Sequence, residues 1–175
     1  MPLNLEVKVR IESPEFAQRI ARSLGGRLQP VLYHVDTYVD VSEGRLKLRE
    51  FRGRTAELIY YDRASVKGAA GRWSSYVIYP VAEPRGLRKN LASKYGIVAI
   101  VRKRRKVFLL QNARIHIDVV KGLGAFLEFE VIQSRGPAQA GQLFRRLRKA
   151  FGIRGSATIG GSYSELVAKP LRRKG

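Results

Sequence analysis

Hydrophobic and polar residues alternate with a period of two along most of this chain. The first such segment is NLEVKVR at 4–10, which has a polar residue at every second position. Seven further segments repeat the pattern and are rich in Val, Ile, Tyr and Phe, which is typical of strands with two unlike faces. The predicted strands are 4–11, 34–41, 44–51, 56–63, 73–81, 97–110, 113–120 and 125–132. Most links between them are short and contain turn residues, so we expect neighbouring strands to pair antiparallel.

Three longer segments have the periodicity of helices. The first begins at Ser13, a suitable N-cap followed by a proline, and ends at Gly25. Its predicted buried stripe consists of Phe16, Ile20 and Leu24. The other two helices are predicted at 83–96 and 137–152, and a short fourth helix is predicted after Ser162, which forms a capping-box pattern with Glu165.

The overall composition is that of a folded protein of ordinary size. The chain has 175 residues, of which 45% are hydrophobic, so we expect a single domain over 1–170 and a loose basic tail at 171–175. Cysteine is absent, which excludes disulfides and thiolate metal sites. The sequence shows no leader pattern and no apolar run near the about 20 residues that span a bilayer. We therefore expect a cytoplasmic protein with no membrane partner.

Charge is the unusual property of this composition. Thirty-four Lys and Arg residues against 14 Asp and Glu residues give a formal net charge of +20. Such an excess repels itself in a compact fold and favours polyanionic partners, which are nucleic acid, anionic membranes or phosphate-rich small molecules.

The charged residues recur on one face of almost every predicted strand. An ordinary antiparallel sheet would leave this polar face in solvent and bury the apolar face. However, the predicted helices carry apolar stripes that need an apolar sheet face to cover. A closed barrel with a charged lumen and an apolar outer surface satisfies both patterns. We therefore predict an α+β fold, an eight-stranded antiparallel closed β-barrel (tunnel) with helices packed on the outside.

A lumen of this kind would be suited to binding phosphate groups and a metal ion. Clustered cations withdrawn from water are costly unless an anion compensates them, and Lys and Arg supply many donors to phosphate oxygens. The few carboxylates on these faces would be hard oxygen ligands for Mg²⁺ or Mn²⁺. They are Glu6, Asp118, Glu128 and Glu130. Phosphoryl transfer needs little beyond positioning and electrostatic stabilisation by metal and cations.

Six segments, in order along almost the whole chain, resemble the motifs of the CYTH superfamily, the triphosphate tunnel metalloenzymes. They are LEVKVR, DTYVDVSEGRLKLRE, ELIYYDR, VRKRRKVF, ARIHID and GLGAFLEFEV. The second and the last are most similar to the class IV adenylyl cyclase branch, and triphosphatases share much of the pattern. The resemblance implies an eight-stranded tunnel that holds a nucleoside or inorganic triphosphate together with Mg²⁺ or Mn²⁺.

The resemblance also implies roles for individual residues. The implied catalytic residues are Glu6, Lys8, Glu128 and Glu130, and the implied metal ligands are Glu6, Glu128, Glu130 and Asp118. The implied triphosphate-binding cations are Lys8, Lys47, Arg49, Arg63, Lys103, Arg105 and Arg114. Either Lys67 or Arg72 stands where the family places a further cation. In the cyclase branch the ribose 3′-oxygen attacks the α-phosphate and pyrophosphate leaves, whereas in the hydrolase branch water attacks the terminal phosphate.

One position departs from the family pattern and leaves alternatives open. The first glutamate of the motif is Asn4 here, whose amide oxygen carries no charge and cannot act as a base. The protein is therefore either an enzyme, with activity lowered at this position, or a triphosphate or polyphosphate binder that has lost catalysis. The charge of +20 supports a third hypothesis, a nucleic-acid-binding protein. His116 shares a face with Arg114 and Asp118, and it is either a proton donor or a structural hydrogen-bonding group.

Overall fold

The computed structural model describes residues 3–53, 56–63, 71–134 and 136–168, without the side chains of Arg63 and Ser156. Its strands are β1 (Leu3–Ile11), β2 (Arg27–Leu28), β3 (Leu32–Val39), β4 (Arg45–Phe51), β5 (Ala56–Arg63), β6 (Arg72–Val81), β7 (Ile97–Leu110), β8 (Ala113–Val120) and β9 (Gly124–Ile132). Its helices are α1 (Pro14–Ser23), α2 (Pro84–Tyr95), α3 (Pro137–Ala150) and α4 (Tyr163–Ala168), with a short 3₁₀ turn at Gly155–Ala157. All eight strands predicted from the alternation are present, and the two-residue β2 is additional.

Eight of these strands form a closed antiparallel barrel. Around the barrel the order is β7, β3, β4, β5, β6, β1, β9 and β8, and pairing of β8 with β7 closes the ring. The long β7 makes this possible, because it pairs with β3 along its first two thirds and with β8 along its second half. The remaining strand, β2, pairs with the end of β7 at Leu109 and Phe108. The predicted fold, an α+β eight-stranded barrel with helices outside, is therefore confirmed.

The main apolar core lies between the barrel wall and the helices, where the outward residues of β1, β8 and β9 meet α1 and α3. Leu5, Val7 and Val9 of β1 belong to this core, with Leu143 and Phe144 of α3. Burial of such side chains stabilises the fold by about 1.5–3 kcal/mol each. The same alternation that sends these residues outward sends their polar neighbours into the lumen.

The packing face of α1 differs from the prediction. Ser13 is the N-cap as expected, and its hydroxyl accepts a hydrogen bond from the backbone N–H of Phe16. However, the Phe16 side chain is 55% exposed, and the buried residues of the helix include Ala17 and Ala21. Small side chains on this face let the helix approach the sheet closely, which rotates Phe16 out towards solvent.

The two ends of the barrel differ. At one end α4 covers the lumen, and Tyr163 packs with Tyr38, Tyr61 and Phe126 in a second apolar cluster. At this end the segment before α4 also borders β1, since the N–H of Ile159 donates to the carbonyl of Lys8. At the opposite end lie the start of β3 and the end of β4, with partly buried Leu32 and Phe51 at the rim. We call this open end, with Leu32 and Phe51 at its rim, the mouth of the barrel.

The helices of the described residues were also compared with the requirements of a membrane span. None of them combines the length and the apolar character needed to cross a bilayer.

Candidate active site

The barrel encloses a cavity of about 400 Å³ that is lined by the polar faces of the strands. Six of the predicted cations line it: Lys8, Lys47, Arg49, Lys103, Arg105 and Arg114. They come from β1, β4, β7 and β8, and the strand alternation points all of them inward. Of the predicted carboxylates, Glu6, Glu128 and Glu130 line the same cavity. The structure therefore brings these residues together, while the side chain of Arg63 and residue Lys67 lie outside the described residues.

On the β3–β4 side of the lumen, the cations converge on Asp36. Arg49 donates to both carboxylate oxygens, at 2.8 and 2.9 Å, and Lys47 Nζ lies 3.2 Å from Oδ2. Lys103 Nζ approaches the same oxygen at 3.4 Å. Burial by itself raises the pKa of the Asp36 carboxyl, but Arg49, Lys47 and Lys103 together hold that pKa well below its usual value. Asp36 is therefore an ionised anchor for three cations.

On the β7–β8 side, Asp118 is the carboxylate on which cations converge, as they do on Asp36. Arg105 forms two hydrogen bonds to it, at 2.7 and 2.6 Å, and the Tyr163 hydroxyl donates to Oδ2 at 2.9 Å. Lys103 Nζ lies 3.8 Å from the same oxygen. Asp118 has no exposed surface, and both of its oxygens already accept hydrogen bonds. Its contacts are those of a residue that positions Arg105 in the lumen.

Two of the other predicted carboxylates, Glu128 and Glu130, lie on β9, next to Lys8, Arg105 and Arg114. Glu128 Oε2 accepts from Arg105 at 3.0 Å, and its Oε1 lies 3.5 Å from Lys8 Nζ. Glu130 Oε2 lies 3.0 Å from Arg114 Nη2. Burial raises the pKa of Glu128, whereas Lys8, His116 and Arg105 lower it, so the pKa stays well below its usual value. An ionised carboxylate is what a divalent metal site requires.

Among the described residues, His116 and the two β9 glutamates form a cluster that could hold a metal ion. One ligand atom from each of the three side chains lies within 4.8 Å of the other two. Burial, followed by the charge of Arg105, lowers the pKa of His116, so the ring is neutral at physiological pH. A neutral imidazole is also the form that binds metals.

The carboxylate on β1 has a different environment. Glu6 accepts from Ser74 at 2.9 Å and from Arg72 Nε at 3.3 Å. Arg72, one of the two candidates for the further cation, is thus next to Glu6 in the structure. Asn4 is also a lumen residue, only 1% exposed, and its Oδ1 has no hydrogen-bond partner among the described residues. The substitution in the motif therefore faces the cavity, where it can affect ligand binding.

One cluster of ion pairs in the described lumen contains more cations than carboxylates. Five cations, namely Lys8, Lys47, Arg49, Lys103 and Arg105, share the three carboxylates of Asp36, Asp118 and Glu128. Burial, and then the charge of Arg105, lowers the pKa of Lys103 to about 8. Burial and Arg49 likewise lower the pKa of Lys47 well below its usual value. A multiply charged anion in the cavity would relieve this repulsion.

Sequence reasoning did not assign a role to Asp36 or Tyr163. Asp36 shares strand parity with Tyr38 and lies opposite Arg49 in β3–β4 pairing, so the strand pattern contained a signal for it. Tyr163 lies on a six-residue helix far along the chain from its contacts with Lys8 and Asp118. No local pattern could have placed it in the lumen.

Comparison with known proteins agrees with this geometry. A closed antiparallel barrel whose lumen gathers ion-paired Lys and Arg defines a tunnel-type protein. The chain belongs to the CYTH domain family, whose model matches residues 3–158. Members of this family are triphosphate-processing enzymes that generally use divalent metals. No curated protein matches the sequence significantly.

Solved structures show the same fold at low sequence identity. The PH1012 protein of Pyrococcus horikoshii is 21% identical, with a TM-score of 0.81 over 93% of this chain and 98% of its own. A conserved hypothetical protein of Pyrococcus furiosus is 19% identical, with a TM-score of 0.80 over 93% of this chain and 99% of its own. The "putative adenylate cyclase" of Vibrio parahaemolyticus is 16% identical, with a TM-score of 0.76 over 95% and 98%.

Proposed function

We propose that this protein binds a triphosphate in the barrel lumen and, with a divalent metal, converts it in a reaction like that of class IV adenylyl cyclases or triphosphatases. The observation that carries this proposal is the convergence of six Lys and Arg side chains, from four strands, on one cavity. Five of them share only three carboxylates, so the cavity is suited to an anion with several charges.

The cations divide into two groups that would hold successive phosphates. Lys47, Arg49 and Lys103 surround Asp36, and Arg105 with Lys8 surrounds Glu128. The acidic anchors keep the long side chains in place, so less conformational entropy is lost when phosphate binds. Arg114, held by the Tyr76 hydroxyl at 2.8 Å and by Glu130, would contact the ligand nearer to β9.

The residues that would hold the metal are Glu128, Glu130 and Glu6, which line the same cavity. When bound, the metal neutralises charge on the phosphates and polarises the phosphorus–oxygen bond that breaks. Asp118 was predicted as an additional ligand. Because Asp118 has no exposed surface and is not among the residues that line the cavity, we propose that it positions Arg105 instead.

The open end favours a nucleoside triphosphate over an inorganic one. Its rim carries Leu32, Phe51 and Ile78, which line the cavity, and Ile78 is 43% exposed. The ring of Phe51 lies 5.0 Å from that of His34, near the cationic groups of Arg49 and Lys103. An apolar and aromatic rim beside a phosphate site can stack a nucleobase. In that arrangement the triphosphate extends inward from the mouth.

The deciding experiment is a turnover assay with ATP and with tripolyphosphate, each with Mg²⁺ or Mn²⁺. Formation of cyclic AMP and pyrophosphate from ATP identifies a cyclase, and formation of orthophosphate identifies a hydrolase.

Lys103→Gln, which removes a cation from the centre of the lumen, should weaken triphosphate binding by about tenfold or more. Lys121→Gln, on the exposed surface, is the matched control. Equal binding by both variants would exclude the lumen as the site.

A second candidate function, triphosphate binding without turnover, is favoured by Asn4. This buried amide stands where the family has a carboxylate, so one negative charge of a metal site is missing. Asn4→Glu should increase metal affinity and turnover if that charge limits the reaction. Since Asn4 has an unpartnered oxygen in the described structure, the variant should also be less stable without metal than with it. Unchanged metal affinity and rate would contradict this account of Asn4.

A further inference from the structure

The imidazole of His116 lies between two carboxylates inside the barrel. His116 is paired with Glu128 across the β8–β9 ladder, and Glu130 follows two residues later on the same face. Its Nδ1 is 3.8 Å from Glu128 Oε2 and 4.0 Å from Glu130 Oε1, both beyond hydrogen-bond range. The residue is 95% buried, since 5% of its surface is exposed, and Nδ1 has no hydrogen-bond partner in the described part of the chain.

These separations fit one metal ion bound by all three side chains. Metal bonds to imidazole nitrogen and carboxylate oxygen are about 2.0–2.2 Å long, so two ligand atoms of one ion lie roughly 3–4 Å apart. The two measured distances from Nδ1 have this size, and all three ligand atoms lie within 4.8 Å of one another. A buried ring nitrogen without a hydrogen-bond partner is otherwise costly, and metal coordination would satisfy it.

We propose that His116 Nδ1, with one oxygen each of Glu128 and Glu130, forms a mixed nitrogen and oxygen metal site that prefers Mn²⁺, Co²⁺ or Zn²⁺ to Mg²⁺. Mg²⁺ takes oxygen ligands almost exclusively, whereas imidazole suits the transition metals. The inference rests on the proposed function, because it names a ligand and the class of metal for the same site.

The surrounding cations keep this site in position. Glu130 uses Oε2 for Arg114, which leaves Oε1 facing His116. Glu128 is held by Lys8 through Oε1 and by Arg105 through Oε2. Such contacts around the ligands typically contribute to metal affinity by fixing ligand orientation. The site thus lies on the β8–β9 side of the lumen, and Asn4, without charge, is on β1.

The test begins with removal of metal from the full-length protein. The protein is then titrated with Mn²⁺ and, separately, with Mg²⁺, and calorimetry measures the affinity for each metal. His116→Gln should weaken Mn²⁺ binding by about tenfold or more and change Mg²⁺ binding by about threefold or less. Glu43→Gln, at an exposed position between β3 and β4 and outside the lumen, is the control, and Mn²⁺ binding should be unchanged in it. Equal Mn²⁺ affinity of the wild type and His116→Gln would overturn the proposal.

A spectroscopic measurement keeps the proposal testable even if His116→Gln does not fold. Pulsed EPR of Mn²⁺ bound to the wild type should show coupling to a histidine nitrogen, which changes on ¹⁵N-histidine labelling. Absence of that coupling would overturn the nitrogen ligand. Binding of tripolyphosphate with EDTA present tests the proposed function separately, so a failure of that function is distinguishable from a failure of the metal site.

Discussion

The Asp36 carboxylate contacts three cationic side chains, from β4 and β7, and has no exposed surface. Ion pairs of this kind are not a strong source of stability, because desolvation offsets much of the attraction. Their effect is to hold Lys47, Arg49 and Lys103 in one arrangement that is poised for an anion. Removal of the shared carboxylate therefore has a larger effect than loss of a single surface ion pair.

We expect Asp36→Asn to lower the free energy of unfolding by about 3–5 kcal/mol, because three buried cations lose their counter-charge. Tripolyphosphate should restore part of this loss and should stabilise the variant more than the wild type. Urea unfolding with and without the anion measures both effects. Asp40→Asn, an exposed position just after the same strand, should change stability by about 0.5 kcal/mol or less. A variant as stable as the wild type would show that Asp36 does not anchor the lumen.

Lys103 should make triphosphate binding depend on pH. Its pKa is lowered to about 8, mainly by burial and then by Arg105. A bound triphosphate favours the charged amine and raises that pKa, so binding takes up a proton near pH 8. Affinity for tripolyphosphate in EDTA should therefore fall as pH rises through about 8, where the empty protein loses this charge.

Calorimetry in Tris and in HEPES would measure this proton uptake directly. Tripolyphosphate itself titrates in the alkaline range, so the informative quantity is the difference between the wild type and Lys103→Met. The uptake near pH 8 should be smaller in Lys103→Met and unchanged in the exposed control Lys121→Met. The same uptake in all three proteins would assign the proton to another group.

At the scale of elements, the short helix α4 connects the closed end of the barrel to the site. Tyr163 donates to Asp118, and its ring lies 4.0 Å from Lys8 Nζ and 4.8 Å from Lys103 Nζ. Arg45 of β4 also contacts Glu165 on this helix. One helix thus covers the end of the lumen and supports the carboxylate that positions Arg105.

Tyr163→Phe should cost about 1–2 kcal/mol of stability, because the buried Asp118 loses a hydrogen bond. Tyr163→Ala should cost about 3–5 kcal/mol, because the ring also leaves a cavity among Tyr38, Tyr61 and Phe126. Chemical denaturation measures both variants. Tyr79→Phe, at a residue 57% exposed, is the control and should be near neutral. If Tyr163→Ala is as stable as the wild type, α4 does not close this end of the barrel.

The elements themselves were largely predictable. Alternation predicted all eight barrel strands, and cap residues predicted the starts of α1 and α4. At the start of α4 the Glu165 N–H donates to the Ser162 hydroxyl, as expected for a capping box. The two-residue β2 was missed because two residues cannot show a period. Phe16 was placed on the wrong side of α1, since periodicity cannot tell whether a helix packs through a large or a small side chain.

At the scale of the whole molecule, the basic residues that give the net charge of +20 lie on the outer surface as well as in the lumen. The exposed face of α3 carries Arg145, Arg146 and Lys149, while its opposite face is buried against β1 and β9. Such a surface attracts polyanions without sequence specificity. This is where the nucleic-acid hypothesis can be separated from the triphosphate site.

Single-stranded RNA should bind weakly. The logarithm of its binding constant should fall linearly with the logarithm of the salt concentration, with a slope of about −0.7 for each phosphate contact. Replacing Arg145, Arg146 and Lys149 with Gln should reduce that slope without changing tripolyphosphate affinity. Fluorescence anisotropy at several salt concentrations measures it. Stoichiometric displacement of RNA by tripolyphosphate would instead place RNA in the lumen.

The sequence by itself determined the strands, the side of each strand that carries charge, and the family, because each is encoded by local period and motif. Only the tertiary structure decided which charges meet. Closure of β8 on β7 brings Glu128 beside Arg105, and the chain's far end brings Tyr163 to Asp118. Distance along the sequence carries no information about such contacts, since burial, register and ring closure together set them.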